Sequence, residues 1–150
     1  MIAFDSNILV YAVNRDADAR HGLATDLIER GIRSGECLQP LQTLAEFFNV
    51  ATRKFRMEPA RAEIFVQGWR AVVQVEAATA DDLAAAIRAV QQHGLSFWDA
   101  MLWATARRAG VSILISEDLQ DGRVIEGVRI VNPFAEHNAA LLDRMLPARA

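Results

Sequence analysis

Between Gly110 and Ser116 the chain reads Val111-Ser112-Ile113-Leu114-Ile115, an almost unbroken apolar run rich in branched side chains. A strand with one face in water alternates apolar and polar residues, whereas a strand covered on both faces has no need to. The run therefore predicts a buried strand, and Ile2 to Phe4 and Val128 to Val131 repeat the pattern. Between such runs the apolar spacing changes to three and four. From Ala17 to Arg33, Leu23, Ala24, Leu27, Ile28 and Ile32 mark a helix with one buried face, closed by Gly31 and Gly35. Strands alternating with helices along the whole length predict an α/β fold, a three-layer α/β/α sandwich in which helices cover both faces of a central parallel sheet.

The remaining elements fill this plan. Asp5-Ser6-Asn7 open a helix over Ile8 to Val13, and Cys37-Leu38 is a second strand before Pro40, which suits the first turn of a helix. That helix, Leu41 to Phe55, buries Leu44, Phe48, Ala51 and Phe55 and sets Gln42, Glu46, Asn49 and Arg53 on another face. Ala60 to Ala71 is helical and Val72-Val73-Gln74-Val75 extended. Thr79 to Gln92 is a helix opened by Thr79 and Asp82 at capping-box spacing and stopped near His93-Gly94. Helices over Phe97 to Ala109 and, after Asn132-Pro133, Ala135 to Met145 complete the pattern. With 150 residues, 52% of them hydrophobic, one domain over 1–150 is expected.

A net charge of -3 argues against a general nucleic-acid coating protein, which needs a dominant basic face, but leaves room for an enzyme touching a short stretch of backbone. Cys37 is the only cysteine, so no intrachain disulfide forms, and the start lacks the pattern of a signal peptide. A cytoplasmic protein is expected. Charges interrupt every apolar stretch before it reaches the roughly 18 to 20 residues that cross a bilayer.

Four acids sit at the edges of these apolar segments: Asp5, Glu46, Asp99 and Asp118. Asp5 and Asp118 follow strands, at the edge where open parallel sheets bind ligands. Each acid also has a structural explanation. Asp5 serves as an N-cap, Asp118 as a turn residue, Asp99 as a capping-box partner of Ser96, and Glu46 as part of a solvated helix face.

Rival chemistries lack parts. A haloacid-dehalogenase-type phosphatase needs a second aspartate where Asn7 stands, and both it and a receiver domain need a lysine near a strand end. Lys54, the only lysine, lies within a predicted helix. There is no Gly-rich phosphate loop, Gly-x-Ser-x-Gly elbow, cysteine pair or histidine cluster.

The motifs Ile2-Ala3-Phe4-Asp5-Ser6-Asn7-Ile8-Leu9, Leu44-Ala45-Glu46-Phe47, Leu95-Ser96-Phe97-Trp98-Asp99-Ala100 and Ile115-Ser116-Glu117-Asp118-Leu119-Gln120-Asp121-Gly122, in that order, resemble the PIN domain family and, within it, VapC-like toxins of toxin–antitoxin pairs. The resemblance implies a Rossmann-like sandwich and an acidic quartet of Asp5, Glu46, Asp99 and Asp118, supported by Asn7 and Ser116. Ser6 stands where many members carry threonine. Near the fourth acid, Glu117 and Asp121 compete; Asp118 is assigned the role and Asp121 a surface turn.

Two carboxylates about 5 Å apart repel by roughly 3 kcal/mol at an effective dielectric of 20, so such a quartet calls for a cation or for protonation. Hard oxygen donors favour Mg²⁺, with Mn²⁺ as a substitute, and such an ion supplies an activated water for in-line attack on a phosphodiester. The resemblance makes the substrate RNA, with a cognate antitoxin and a second copy of the chain as partners and no membrane. Arg53, Lys54 and Arg56, with Arg61 nearby, form the densest basic cluster and are the expected RNA contacts. The alternative is a catalytically weak PIN scaffold that binds RNA or protein without cleaving.

Overall fold

The computed structural model describes residues 1–148. Its strands are β1 (Ile2–Phe4), β2 (Leu38–Pro40), β3 (Gln74–Glu76), β4 (Ile113–Ile115), β5 (Val124–Ile125) and β6 (Val128–Val131). The helices are α1 (Ser6–Val13), α2 (Ala19–Ser34), α3 (Leu41–Arg53), α4 (Pro59–Val72), α5 (Ala80–His93), α6 (Phe97–Arg108) and α7 (Ala139–Met145).

One sheet runs β1-β4-β6-β5 and a parallel pair, β2-β3, is joined to it by a bridge between Ile2 and Cys37. β1, β4 and β6 are parallel, with Phe4 opposite Ile115 and Ile115 opposite Val131, so all three finish at one edge. Alternation along these strands splits the core in two. Ile2, Phe4, Ile115 and Val131 pack with α1, α2, α3 and α7, while Ala3, Leu114, Val128 and Ile130 pack with α5 and α6. Period-two side chains feeding two apolar layers make the expected three-layer sandwich.

Several local expectations are corrected. The edge strand β5 was not foreseen and pairs antiparallel with β6. Two residues carry too little pattern to reveal it, but the turn between them is explicit: Glu126 and Gly127 have φ of 46° and 88°. Gly31 does not end α2. It lies inside the helix, where an added Cβ would stand 3.0 Å from the ring of buried Phe4, so its smallness brings helix and sheet together. Gly35, at φ 70°, is the true C-cap. On α3 the buried aromatic is Phe47, fully covered and edge-on to Trp69, whereas Phe48 and Phe55 are 38% and 44% exposed. The helix ends at Arg53, and Phe55 lies in the connection beyond.

Residues 15–17 form a separate 3-10 turn before α2, and residues 136–138 another before α7. The expected strand near Val72 begins two residues later, because α4 runs through Val72. Thr79 and Asp82 form the predicted capping box at the start of α5. Two buried polar side chains fix the approach of α3: Gln39 Nε2 donates to the Phe4 carbonyl and to Thr43 Oγ1, and Thr43 Oγ1 donates to the Pro40 carbonyl. No helix among the described residues is long and apolar enough to cross a membrane.

Candidate active site

The parallel register sets Asp5 and Ser116 one step beyond the paired ends of β1 and β4. The Asp5 N–H donates to the Ile115 carbonyl at 2.9 Å and the Ser116 N–H to the Val131 carbonyl at 3.1 Å. Asp5 is the N-cap of α1: its Oδ1 accepts from the Ser6 N–H at 2.7 Å. The capping role uses one oxygen and leaves the other for the sheet edge. There Oδ2 accepts from Ser116 Oγ at 2.7 Å, with Asn7 Nδ2 at 3.4 Å. The same Asn7 nitrogen donates to Asp118 Oδ2 at 3.1 Å, so one neutral amide bridges the first and fourth acids.

Asp5 is 5% exposed. Burial raises its carboxyl from 3.8 to about 6; the hydrogen bonds from Ser116 and Ser6 oppose the rise, and the negative fields of Glu46 and Asp118 add to it.

Glu46 lies half-buried in the second turn of α3 and accepts from Gln42 Nε2 at 2.7 Å. That nitrogen also donates to the Trp98 carbonyl at 3.0 Å, which ties α3 to the start of α6. Gln42 shares the polar stripe of Glu46, and its link to Trp98, 56 residues away, has no mark in the sequence. Asp99, third in α6 and half-buried, makes no side-chain hydrogen bond among the described residues. Ser96 makes no capping bond either, so the capping-box explanation of Asp99 is not realised.

The three acids after β4 part company. Glu117 accepts from Tyr11 Oη and pairs with Arg20, both at 2.5 Å, and the Arg20 guanidinium stacks over the Phe134 ring at 4.7 Å. Asp121 accepts from the Asn132 N–H at 2.8 Å, Asn138 Nδ2 at 2.9 Å and His137 at 2.8 Å, pinning its loop to the chain after β6. Burial pushes the Asp121 carboxyl up, but these bonds outweigh it and hold the group below its usual range. A surface turn residue was expected there, and a structural anchor is found. Asp118 alone stays exposed at the sheet edge. Nothing in the sequence marks Tyr11 and Arg20 as partners of Glu117, about a hundred residues away.

Among the described residues no Arg, Lys or His lies within 4.0 Å of the carboxylates of Asp5, Glu46, Asp99 or Asp118. Their donors are hydroxyls, amides and a backbone N–H. Nor, among the described residues, are three acidic, His or Cys side chains gathered tightly enough to enclose an ion. Carboxylates without a counter-charge repel, and here Glu46 leans to Gln42 and Asp118 to Asn7. An all-oxygen donor set with uncompensated negative charge fits a hard divalent cation. Arg53, Lys54 and Arg56 are exposed at and beyond the end of α3, Arg53 about two turns along that helix from Glu46.

A sequence profile of the PIN domain matches residues 2–124. Comparison with curated proteins finds no match. Among solved structures the chain is similar to VapC20 of Mycobacterium tuberculosis, a sarcin-ricin loop cleaving toxin, at 26% identity and a TM-score of 0.64 over 79% of this chain and 92% of that one. It is also similar in fold to a chain of a toxin–antitoxin complex from Klebsiella pneumoniae, with 20% identity, TM-score 0.62 and coverage of 89% and 98%. A chain of DNA-bound VapBC from Salmonella typhimurium gives 19% identity, TM-score 0.62 and coverage of 86% and 95%.

Proposed function

The chain belongs to the PIN domain family, and from that membership we propose that it is a Mg²⁺-dependent endoribonuclease, the toxin of a toxin–antitoxin pair, with Mn²⁺ as a substitute ion. The observation that carries the reading is the meeting of Asp5, Ser116, Asn7 and Asp118 beyond β1 and β4, with no cationic side chain within 4.0 Å of their carboxylates among the described residues.

Asp5, Glu46, Asp99 and Asp118 would hold the ion, which supplies charge compensation and a water acidic enough to attack a phosphodiester. The protein prepares the acids for that role. Asn7 and Ser116 hold Asp5 and Asp118 in one orientation through neutral donors that add no competing charge. Burial of Asp5 excludes water on one side, so the group gains more from a cation than an exposed carboxylate does. Gln42 keeps Glu46 beside the start of α6, where Asp99 emerges.

Similarity to VapC20, a sarcin-ricin loop cleaving toxin, supports RNA as the substrate. A groove of about 840 Å³ between α3, α4 and β3, walled by Leu41, Leu44, Phe48, Val66 and Val75, supports docking of an antitoxin segment. The exposed stripe Leu83, Ile87 and Val90 on α5 supports pairing with a second copy. The metal is tested by melting the protein in Mg²⁺, Mn²⁺ and EDTA. An ion at 100 times its dissociation constant adds about 2.7 kcal/mol, and identical midpoints in all three would remove the metal from the proposal.

A further inference from the structure

A cavity of about 480 Å³ opens where the end of α1, the 3-10 turn that follows and the α3–α4 connection meet. Arg15, Arg56 and Arg61 line it, beside the half-exposed ring of Phe55. Asp16 and Glu58 line it too, yet among the described residues none of the three guanidiniums has a carboxylate within 4.0 Å. Arg20, Arg30, Arg107 and Arg108 are ion-paired, and of the arginines that are not, Arg15, Arg56 and Arg61 lie together around one cavity. Three cations against two anions leave the cavity net positive in a chain of net charge -3.

Arg56 adds a second observation. Its φ of 52° lies in the left-handed region, which a non-glycine side chain enters at a cost. Backbone strain retained at a site points to a use for the residue there.

The placement gives that use. α1 follows its N-cap Asp5 and is eight residues long, so its far end lies about 12 Å from Asp5 at 1.5 Å per residue. From Glu46 to Phe55 along α3 and its extension is about the same distance, and Glu46, Asn49 and Arg53 make a polar stripe between the two. Four carboxylates repel a polyanion, so affinity for it has to come from elsewhere on the surface.

We propose that this cavity anchors a phosphodiester of the RNA strand, with the Phe55 ring against a neighbouring base, while the scissile bond lies at the acids about 12 Å away. The inference rests on the endoribonuclease reading and names where its substrate is held.

Fluorescently labelled single-stranded RNAs of about four and about twelve nucleotides, titrated by anisotropy in EDTA over a range of salt, test it. Arg56→Gln and Arg61→Gln are expected to weaken binding of the longer RNA several-fold. Each is expected to flatten the log K against log salt slope by about 0.7, and the shorter RNA, which the bare acids cannot hold in EDTA, should weaken along with the longer one. Arg88→Gln, on an exposed α5 position outside the cavity, should change neither. Arg56→Gly is expected to melt no lower than the parent, since glycine relieves the backbone, and yet to bind the longer RNA less tightly. Unchanged affinity and slope in the cavity variants, or an equal loss in Arg88→Gln, would overturn the anchor. A parent chain that binds RNA through the cavity but never cleaves it with Mg²⁺ or Mn²⁺ removes the endoribonuclease reading and leaves the anchor standing.

Discussion

Asp5→Asn removes one negative charge from the sheet edge and keeps almost everything else. Asparagine caps helices as well as aspartate does, and its Oδ1 can still accept the Ser6 N–H. The bonds that Ser116 Oγ and Asn7 Nδ2 now donate to Asp5 Oδ2 are weakened where an amide nitrogen takes its place, a cost that does not vary with pH and so leaves the pH dependence untouched. The cost of the charge follows from the carboxyl's rise from 3.8 to about 6. At 1.36 kcal/mol per pH unit that is about 3 kcal/mol against the folded state once the group is ionised in both states.

The sign is fixed by proton counting. Between these two values the folded protein keeps a proton that the unfolded chain has released, so the residue's contribution to stability falls as pH rises and levels off above about pH 6. The asparagine has no such proton. Urea unfolding of both metal-free proteins from about pH 4 to about pH 8 isolates the effect, because the other titrations cancel in the difference. The variant is expected to gain on the parent through this window, reaching about 3 kcal/mol near pH 7. Mg²⁺ should then narrow the gap by stabilising the parent alone. A difference that does not change with pH would refute the claim that Asp5 is a buried carboxylate held against its own desolvation.

Two further outcomes test the surroundings. Arg20→Ala frees Glu117 from its ion pair and loosens the loop that carries Asp118; stability should fall by about 1 kcal/mol or less, as for an exposed pair, while RNA cleavage falls by much more. Phe47→Ala should cost about 3 to 5 kcal/mol and Phe48→Ala under about 1 kcal/mol in urea unfolding, because only Phe47 fills the core.

The layer structure was legible because covered strands and amphipathic helices carry strong periodic signals, and the Thr79–Asp82 box marked its helix start locally. Asp5 and Asp118 stand out in the sequence as acids at strand ends, whereas Glu46 and Asp99 lie on helices and are singled out by the motifs around them. What was not legible depends on distant contacts. Phe47 and Phe48 are chemically alike, and which one is buried depends on Phe65 and Trp69 of α4. Gly31 reads as a terminator until Phe4 is seen against it. Glu117, Asp118 and Asp121 look interchangeable in sequence. They are separated by Tyr11 and Arg20 on one side and by Asn132, His137 and Asn138 on the other, leaving Asp118 at the sheet edge.

The most direct test of the proposed activity is cleavage of RNA by the purified chain in Mg²⁺, beside Asp5→Asn, Asp118→Asn and Asp121→Asn prepared identically. Cleavage by the parent that stops in EDTA, is lost in Asp5→Asn and Asp118→Asn, and survives at a temperature where Asp121→Asn remains folded is the predicted result. Cleavage that persists in EDTA, or in either of the first two variants, would contradict a metal-dependent site built on Asp5 and Asp118.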